Sequence, residues 1–168
     1  MRTPDPLWLT HARKLLGTRE MPGPANSAVI IGWAKALGPR TLGIGYDADS
    51  LPWCGLFAAH CLTAARIAPP PIAVRASAWA GWGDELHAER LAPGAVLVFR
   101  RPGGGHVGFY LGEDARSYLV LGGNQGDAVS IVRIAKARCI ARRWPAGEPM
   151  PGRPRHFAAT GPVSTDEG

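Results

Sequence analysis

The sequence predicts an α+β domain in which N-terminal helices pack on a C-terminal antiparallel sheet of about five strands. Apolar residues recur at helical spacing in the first part of the chain, whereas short apolar runs separated by glycine-rich turns fill the second part. Helical segments followed by a series of strands indicate an α+β domain with an antiparallel sheet. The 168 residues are sufficient for one domain with a substantial core.

Two helices at the start of the chain are indicated by their end signals. Pro6 suits the first position of the first helix, and Gly17 suits the position just after its end. A second helix is predicted over residues 27–37, with Ser27 as its cap and Gly38 after its end. Both segments place apolar residues on one face, as expected for helices that cover a sheet.

A third helix is predicted over residues 52–67 and carries one face without bulky side chains. Small residues recur on this face at helical spacing, namely Cys54, Ala58, Cys61 and Ala65. Such a face allows a helix to approach a sheet closely. We therefore expect this helix to pack directly against the sheet, and we expect a short helical turn over residues 77–82.

Short apolar runs in the second half of the chain predict the strands of an antiparallel sheet. They cover residues 95–99, 106–111, 118–121, 128–134 and 138–143. Glycine-rich segments between them mark turns. Residues 1–144 are therefore interpreted as one domain. Residues 145–168 are rich in proline and glycine with little apolar pattern, and we interpret them as a mobile tail.

Composition and charge narrow the classes of function. Hydrophobic residues make up 46% and charged residues 19% of the chain, which is ordinary for a globular protein. The net charge of +6 favours anionic partners, but no nucleic-acid recognition motif is present and no nucleic acid partner is expected. No apolar run approaches the roughly 20 residues of a membrane span, and no secretion signal is recognised, so we expect synthesis in the cytoplasm.

The cysteines and histidines give no indication of a disulfide framework or a metal site. Three cysteines, Cys54, Cys61 and Cys139, are an odd number, which fits free thiols in a reducing compartment. His60 lies beside Cys61 but lacks the paired spacing of a zinc site, and no His-Glu-x-x-His motif is present. We therefore expect no metal and no other cofactor.

Cys54 and His106 are the candidates for nucleophilic catalysis. Cys54 lies two residues after Pro52, in the first turn of the predicted helix, where free N–H groups and the helix dipole favour the thiolate. His106 follows three glycines at the start of a strand, where a substrate or another backbone can approach closely. Each residue alone also fits a structural role, as a small core cysteine or a strand histidine. Their order in the chain, with a third polar residue after them, favours catalysis.

The third candidate, Asn124, follows from a predicted strand pairing. If a four-residue turn joins the second and third strands, Gly112 lies opposite Ser117. The same register places His106 opposite Gly123. Asn124 then lies diagonally beside His106, within roughly 8 Å, and suits the role of a residue that orients an imidazole. The alternative is an ordinary turn asparagine in a glycine-rich loop.

The ordered set of motifs is similar to that of the CHAP/NlpC-type papain-like cysteine peptidases, which cut bacterial cell-wall peptide. The matching segments are Pro52-Trp53-Cys54 with Phe57, Gly105-His106-Val107-Gly108-Phe109-Tyr110 and Gly122-Gly123-Asn124-Gln125, supported by Glu20-Met21-Pro22-Gly23 with Asn26 and by residues 75–79 and 82–83. The resemblance extends from about Trp8 to Arg143. It implies a papain-like fold with Cys54 as the nucleophile, His106 as base and then acid, and Asn124 as the orienting group.

The resemblance also implies an activity and a place of action. We expect a peptidoglycan hydrolase, either an endopeptidase or an amidase, with bacterial peptidoglycan as its partner and no cofactor. The chain also resembles phage- and prophage-encoded lysis enzymes (endolysins) and tail-associated enzymes, which do without a signal peptide. Its expected site of action is therefore the cell wall or periplasm, after release by another system.

Five further residues are candidates for substrate binding. Trp53, Trp79 and Trp82 offer flat surfaces to a stem peptide or a sugar, with core packing as the alternative. Tyr46 and Asp49 precede the third helix and are the nearest candidates for a second oxyanion donor, beside the nucleophile's own N–H. Separately, the carboxylates of Asp47, Asp49 and Asp84 are candidates for holding a substrate ammonium, with simple solvation as the alternative.

Two other functions stay open from the sequence. One is a papain-like thiol hydrolase, acyltransferase or toxin that acts on a different amide or ester. The other is a non-catalytic wall-binding or phage structural module that keeps the fold. Cleavage of purified peptidoglycan by the wild-type chain but not by Cys54→Ala separates both from the hydrolase.

Overall fold

The computed structural model describes residues 3–23, 25–149, 152–158 and 161–167. Within these ranges three α-helices precede a six-stranded antiparallel sheet. The helices are α1 (Leu7–Lys14), α2 (Ala28–Leu42) and α3 (Cys54–Ala64). The strands are β1 (Asp84–Glu85), β2 (Val96–Arg101), β3 (Gly104–Glu113), β4 (Ser117–Gly122), β5 (Ser130–Ala135) and β6 (Cys139–Trp144). The predicted α+β class is confirmed.

The sheet has the spatial order β1-β6-β2-β3-β4-β5, and every pair of neighbours is antiparallel. All five predicted strands are present. The two-residue strand β1 was not predicted, because two exposed acidic residues carry no apolar alternation. The two central strands, β2 and β3, form a long hairpin that carries the predicted catalytic histidine at His106.

Helix α2 begins as predicted and continues beyond its predicted end. The Ser27 hydroxyl accepts a hydrogen bond from the Ile30 N–H at 3.4 Å, which is the expected cap. The helix breaks at Gly38, whose φ of 82° is left-handed. Pro39 then suits the first position of a further helical turn, which ends where the Gly43 N–H donates to the Pro39 carbonyl at 2.8 Å. Gly38 and Pro39, which were predicted to end the helix, therefore form a kink followed by one more helical turn.

Helix α3 is the central element of the core. It packs against α1 and α2 on one side and against β3 and β4 on the other. Its buried residues are Cys54, Gly55, Leu56, Phe57, Ala58, Ala59, Cys61 and Leu62. The expectation of a helix packed directly against the sheet is confirmed, although the helix is shorter than predicted. A Cβ on Gly55 would lie 2.1 Å from the Ala73 carbonyl oxygen, so only glycine allows this approach.

The predicted register between β3 and β4 is wrong. Gly112 lies opposite Leu119 and not Ser117, because the turn lies one residue further along the chain than predicted. A β-bulge between Tyr110 and Gly112 then reduces this offset by one residue, and Tyr110 lies opposite Val120. The connecting loop comprises residues 114–116 and is closed by the Asp114 carboxylate, which accepts from the N–H groups of Arg116 and Ser117 at 2.8 Å each. A shift by one residue turns each side chain to the opposite face of a strand. The position predicted for Asn124 beside His106, which was based on this register, is therefore affected as well.

Parts of the segment 145–168 lie against the sheet. The Glu113 N–H donates to the Arg155 carbonyl, and the Phe157 N–H donates to the Glu113 carbonyl, both at 2.7 Å. Further on, the Ser164 N–H donates to the Arg133 carbonyl of β5 at 2.7 Å. The mobility of this segment and the domain boundary at residue 144 stay predictions. In the described part of the chain, no helix has the length and apolar character needed to cross a membrane.

Candidate active site

Cys54 is the first residue of α3 and is 2% exposed. The preceding residue, Trp53, caps the helix without a side-chain hydrogen bond. The N–H groups of the first helical turn are therefore not occupied by a capping side chain. The Trp53 indole donates to Glu20 Oε1 at 3.0 Å and lies so close to Gly123 that a Cβ there would be 2.9 Å from the ring. These contacts fix the start of the helix against the β4–β5 loop.

The loop before α3 is held in place by Asp49. This carboxylate is 1% exposed, and its Oδ2 accepts from the N–H groups of Met21 and Ser27 at 2.7 and 2.6 Å. In return, the Asp49 N–H donates to Asn26 Oδ1 at 3.1 Å. Asp49 thus positions the segment that leads to the nucleophile. Its hydrogen-bonding capacity is directed inward, so it does not meet a substrate as predicted.

His106 lies in β3, opposite Phe99 of β2, and is completely buried. Its ring stacks against the Phe99 ring with the centroids 6.3 Å apart. Its Nε2 lies 2.9 Å from Gln125 Oε1, whereas its Nδ1 makes no hydrogen bond of normal geometry. The imidazole is therefore held by one nitrogen and leaves the other available.

Gln125 fixes the tautomer of this imidazole. The Gln125 amide nitrogen donates to the Ser130 carbonyl at 2.7 Å, which identifies the atom facing His106 as the amide oxygen. An amide oxygen only accepts, so His106 carries its proton on Nε2. The Nδ1 lone pair is then the free base. Gln125 has the orienting role that the sequence analysis gave to a neighbouring residue.

The prediction of Asn124 as the orienting residue is corrected by this geometry. Asn124 is 4% exposed and has a left-handed backbone with φ of 59°. It forms the turn, and the next side chain then points back at His106. Space for this contact exists because residue 122 is glycine, since a Cβ on Gly122 would lie 2.6 Å from Gln125 Oε1. The segment Gly122-Gly123-Asn124-Gln125, which matches the family motif, already contains Gln125.

The thiol of Cys54 is more acidic than an ordinary cysteine. Burial alone would raise its pKa, but its interactions with the His106 imidazole lower it, and the backbone of Val107 and the charge of Arg101 add to this. The net result is a pKa below the usual value. In contrast, burial raises the pKa of Cys61 and of Cys139. Cys54 is therefore the thiol prepared to react as a thiolate.

A cavity of about 460 Å³ is lined in part by Cys54. Its other walls come from the loop before α3, the segment around Arg75, and the β2–β3 hairpin near Arg101. Ligand-binding cavities usually measure about 300–1,000 Å³. The candidate nucleophile therefore faces a space of the size that binds small ligands.

None of the five predicted substrate-binding residues lines this cavity. Trp53 and Trp79 are completely buried. The Trp79 indole donates to the Ala73 carbonyl at 2.9 Å, and Trp82 packs edge-on against Trp79 with the ring centroids 5.2 Å apart. The prediction that these tryptophans line the groove is corrected to the alternative, core packing, because Trp53 and Trp79 are buried and the half-buried Trp82 packs against Trp79.

Tyr46 and Asp49 do not supply the second oxyanion donor in this arrangement. The Tyr46 hydroxyl donates its single proton to the Leu51 carbonyl at 2.8 Å. Burial raises the pKa of Tyr46, so the hydroxyl stays protonated. The Asp49 N–H is already bonded to Asn26. The remaining candidate donor is the backbone N–H of Cys54 at the helix start.

The fold brings a reactive thiol and an imidazole side by side. A thiol with a lowered pKa lies at a helix start, and an imidazole held by an amide side chain lies beside it on an antiparallel sheet. This is the arrangement of a cysteine nucleophile with a histidine base. Within the described ranges, no group of three histidine, cysteine, aspartate or glutamate side chains is placed to hold a metal ion.

No family model matches the chain, and no curated protein matches it in sequence. Among solved structures, it is similar to the P60 domain from an antigen of M. avium paratuberculosis. The two share 15% identity with a TM-score of 0.49, over 82% of this chain and 89% of that chain. These values do not establish family or activity, so the function rests on the chain's own residues.

Proposed function

We propose that the chain is a cysteine hydrolase that cleaves an amide bond in the stem peptide of bacterial peptidoglycan, as an endopeptidase or an amidase. One observation carries the proposal. The Cys54 thiol, with a lowered pKa, lines an accessible cavity beside His106, whose tautomer is set by Gln125. A merely structural cysteine, such as Cys61, has its pKa raised by burial.

The geometry supports a two-step reaction. The thiolate of Cys54 attacks the amide carbonyl carbon, and a C–S bond forms as the carbonyl oxygen becomes an oxyanion. His106, protonated at Nδ1 by the proton taken from the thiol, gives that proton to the leaving nitrogen as the C–N bond breaks. Water, deprotonated by His106, then hydrolyses the thioester and returns the thiol. The first-turn N–H of α3 stabilises both oxyanions.

The choice of peptidoglycan is supported by the motif order around Cys54, His106 and Gln125, which is similar to that of the CHAP/NlpC-type peptidases. The net charge of +6 is compatible with an anionic cell envelope. We also propose that the protein acts in the cell wall or periplasm after release by another system.

The proposal is tested on purified sacculi. The wild-type chain should release soluble muropeptides, and Cys54→Ala should release none. Cys139→Ala is the matched control, because Cys139 is a half-buried thiol whose pKa is raised by burial. Mass spectrometry of the products identifies the new termini and separates endopeptidase from amidase. Equal release by wild type and Cys54→Ala would contradict the assignment of Cys54 as the nucleophile and would overturn the proposal.

A second candidate, a thiol hydrolase or acyltransferase acting on a different amide or ester, is favoured by the apolar lining of the cavity. Val98 and Phe99 line it beside the nucleophile. A thioester formed on Cys54 from an acyl donor, in the absence of any muropeptide release, would select this candidate. Intact-protein mass spectrometry after incubation with acyl donors measures it directly.

A further inference from the structure

The cavity beside Cys54 has an apolar lining that reaches from the nucleophile to the surface. Leu51, Val98 and Phe99 form part of its walls. Ile44 and Ile140 also line it, although their side chains are 38% and 53% exposed to solvent. Large apolar residues that are exposed and contiguous with a cavity commonly mark a binding surface. The group bound next to the nucleophile is therefore expected to be apolar.

The same cavity is cationic. Arg75, Arg100 and Arg101 line it, and among the residues that the structure describes no aspartate or glutamate does. Arg100 and Arg101 donate to backbone carbonyls, of Ala137 and Gly105 respectively, and not to a carboxylate. In the described part of the chain, none of the three arginines forms an ion pair.

Three carboxylates of the sheet and of the segment after it are paired with other cations. Glu113, Asp114 and Glu167 pair with Lys136, Arg133 and Arg138 in that order. Asp49, a candidate for holding a substrate ammonium, is buried and bonded to backbone N–H groups. The potential in the cavity therefore attracts an anion and repels an ammonium group.

We propose that this site selects substrates in which an apolar side chain flanks the scissile carbonyl and a carboxylate lies close enough to meet the arginines. This inference rests on the proposed function, since it names the substrate class of the same thiol site. The two preferences support each other, because an apolar wall strengthens an arginine–carboxylate contact by excluding water. A planar guanidinium also matches a carboxylate through two parallel hydrogen bonds.

The test measures how fast Cys54 is alkylated by four reagents that separate shape from charge. They are 2-bromo-4-methylpentanoate, its neutral amide, bromoacetate and bromoacetamide. In each case the thiolate displaces bromide, so an S–C bond replaces a C–Br bond. Rates are divided by those of a free cysteine peptide, which removes intrinsic reactivity. We expect the branched carboxylate to have a normalised rate about tenfold or more above that of bromoacetamide.

Two variants with matched controls test which cavity residues cause the preferences for a carboxylate and for a branched side chain. Arg75→Glu should reduce the preference for carboxylate over amide by about tenfold, whereas Arg116→Glu, an exposed loop arginine outside the cavity, should not. Ile140→Glu should reduce the preference for the branched reagents. Ile131→Glu is its control, because Ile131 is 40% exposed on a strand but does not line the cavity.

Failure of this inference is distinct from failure of the proposed function. A cationic bromoacetamide derivative that labels Cys54 as fast as the carboxylate, after normalisation, would overturn the substrate class even if sacculi are cleaved. Equal rates for branched and unbranched reagents would do the same. Sacculi left intact by an enzyme that shows both labelling preferences would overturn peptidoglycan as substrate and leave the cavity's selectivity standing. A Cys54 that none of the reagents alkylates would overturn both.

Discussion

At the scale of single residues, the site depends on opposing effects on one thiol. Burial of Cys54 disfavours the thiolate, and the combined effects of His106, the Val107 backbone and the Arg101 charge more than compensate for that cost. The histidine is itself completely buried and is kept in place by Gln125. The reactivity of the cysteine is therefore a property of its partners and not of burial or of the helix start alone.

This balance predicts the pH dependence of alkylation at Cys54. The reactive form is the thiolate, and the folded pKa lies below the ordinary value, so the rate should rise at a lower pH than that of a free cysteine peptide. In His106→Ala the lowering contribution is lost while burial remains, so the midpoint should move to higher pH. Loss of the general base should also reduce kcat/KM by about 10²–10⁴-fold. Iodoacetamide labelling followed by mass spectrometry measures the midpoints.

Cys61 serves as the internal control for this experiment, because burial raises its pKa without a histidine partner. Its labelling should stay slow at neutral pH and should not respond to the His106 substitution. An unchanged midpoint for Cys54 in His106→Ala would contradict the assignment of His106 as the partner of the thiol.

At the scale of elements, the β4–β5 loop decides which polar residue orients the base. The left-handed backbone at Asn124 turns the chain, and the glycines at 122 and 123 leave room for the Gln125 side chain and for Trp53. A Cβ on Gly123 would lie 2.6 Å from the Phe57 side chain. The loop is thus shaped by the helix on one side and by the imidazole on the other.

Substitutions in this loop are predicted to have unequal effects. Gln125→Ala removes the acceptor that fixes the His106 tautomer, and a hydrogen bond to a charged imidazolium is worth enough to reduce kcat by about 10–100-fold. Asn124→Gly keeps the left-handed turn and should stay within about threefold of wild type. Turnover of sacculi gives kcat, and the pH profile of turnover should change only in the Gln125 variant. Equal losses in both variants would show that the loop acts as a turn and not through Gln125.

The sequence predicted most elements and two of the three site residues that the structure brings together. Helix caps, glycine breakers and apolar runs are local signals, and Cys54 and His106 were found from them. Asn124 was predicted in place of Gln125 because the turn closed by Asp114 lies one residue further along than predicted, and the β-bulge after Tyr110 reverses only part of that offset. Bulges depend on tertiary packing and leave no local signal in one sequence.

The cavity lining was the least predictable feature of the site. Arg75, Arg100 and Ile140 come from three separate parts of the chain and meet only in the folded protein. Exposed arginines and isoleucines do not differ in sequence from ordinary surface residues. Trp79, in contrast, looked like a binding residue because of its size, and burial in the core explains it completely.

At the scale of the whole molecule, the segment after β6 contacts β3, β5 and the connection between β5 and β6. A Cβ on Gly112 would lie 2.0 Å from the Phe157 ring, so this ring lies directly on the bulge of β3. Further along, Val163 pairs with Arg133 at the β5 edge. Backbone pairing of this kind covers an otherwise open sheet edge. Near its end, Glu167 is 3% exposed and forms an ion pair with Arg138.

The attachment of residues 161–167 is predicted to depend on pH through Glu167. Burial alone would raise the pKa of Glu167, but hydrogen bonds from Arg138 and Ser164 and the charges of Arg138 and His106 hold it below its ordinary value of 4.5. A carboxyl with a lowered folded pKa stabilises the attached state above pH 4.5, and that contribution is lost as the pH falls through the folded value. Glu167→Gln should therefore increase amide exchange in residues 161–167 by about threefold at pH 7.

Hydrogen exchange of wild type and variant at the same pH measures this effect, because the intrinsic exchange rate cancels in their ratio. The ratio should approach one as Glu167 becomes protonated in the wild type. Glu148→Gln is the control, since Glu148 is exposed and forms no ion pair in the described part of the chain. Equal exchange in wild type and Glu167→Gln at pH 7 would mean that the backbone bonds to β5 and not the ion pair hold the segment. The charge of the Glu167 carboxylate would then not contribute to the attachment of residues 161–167.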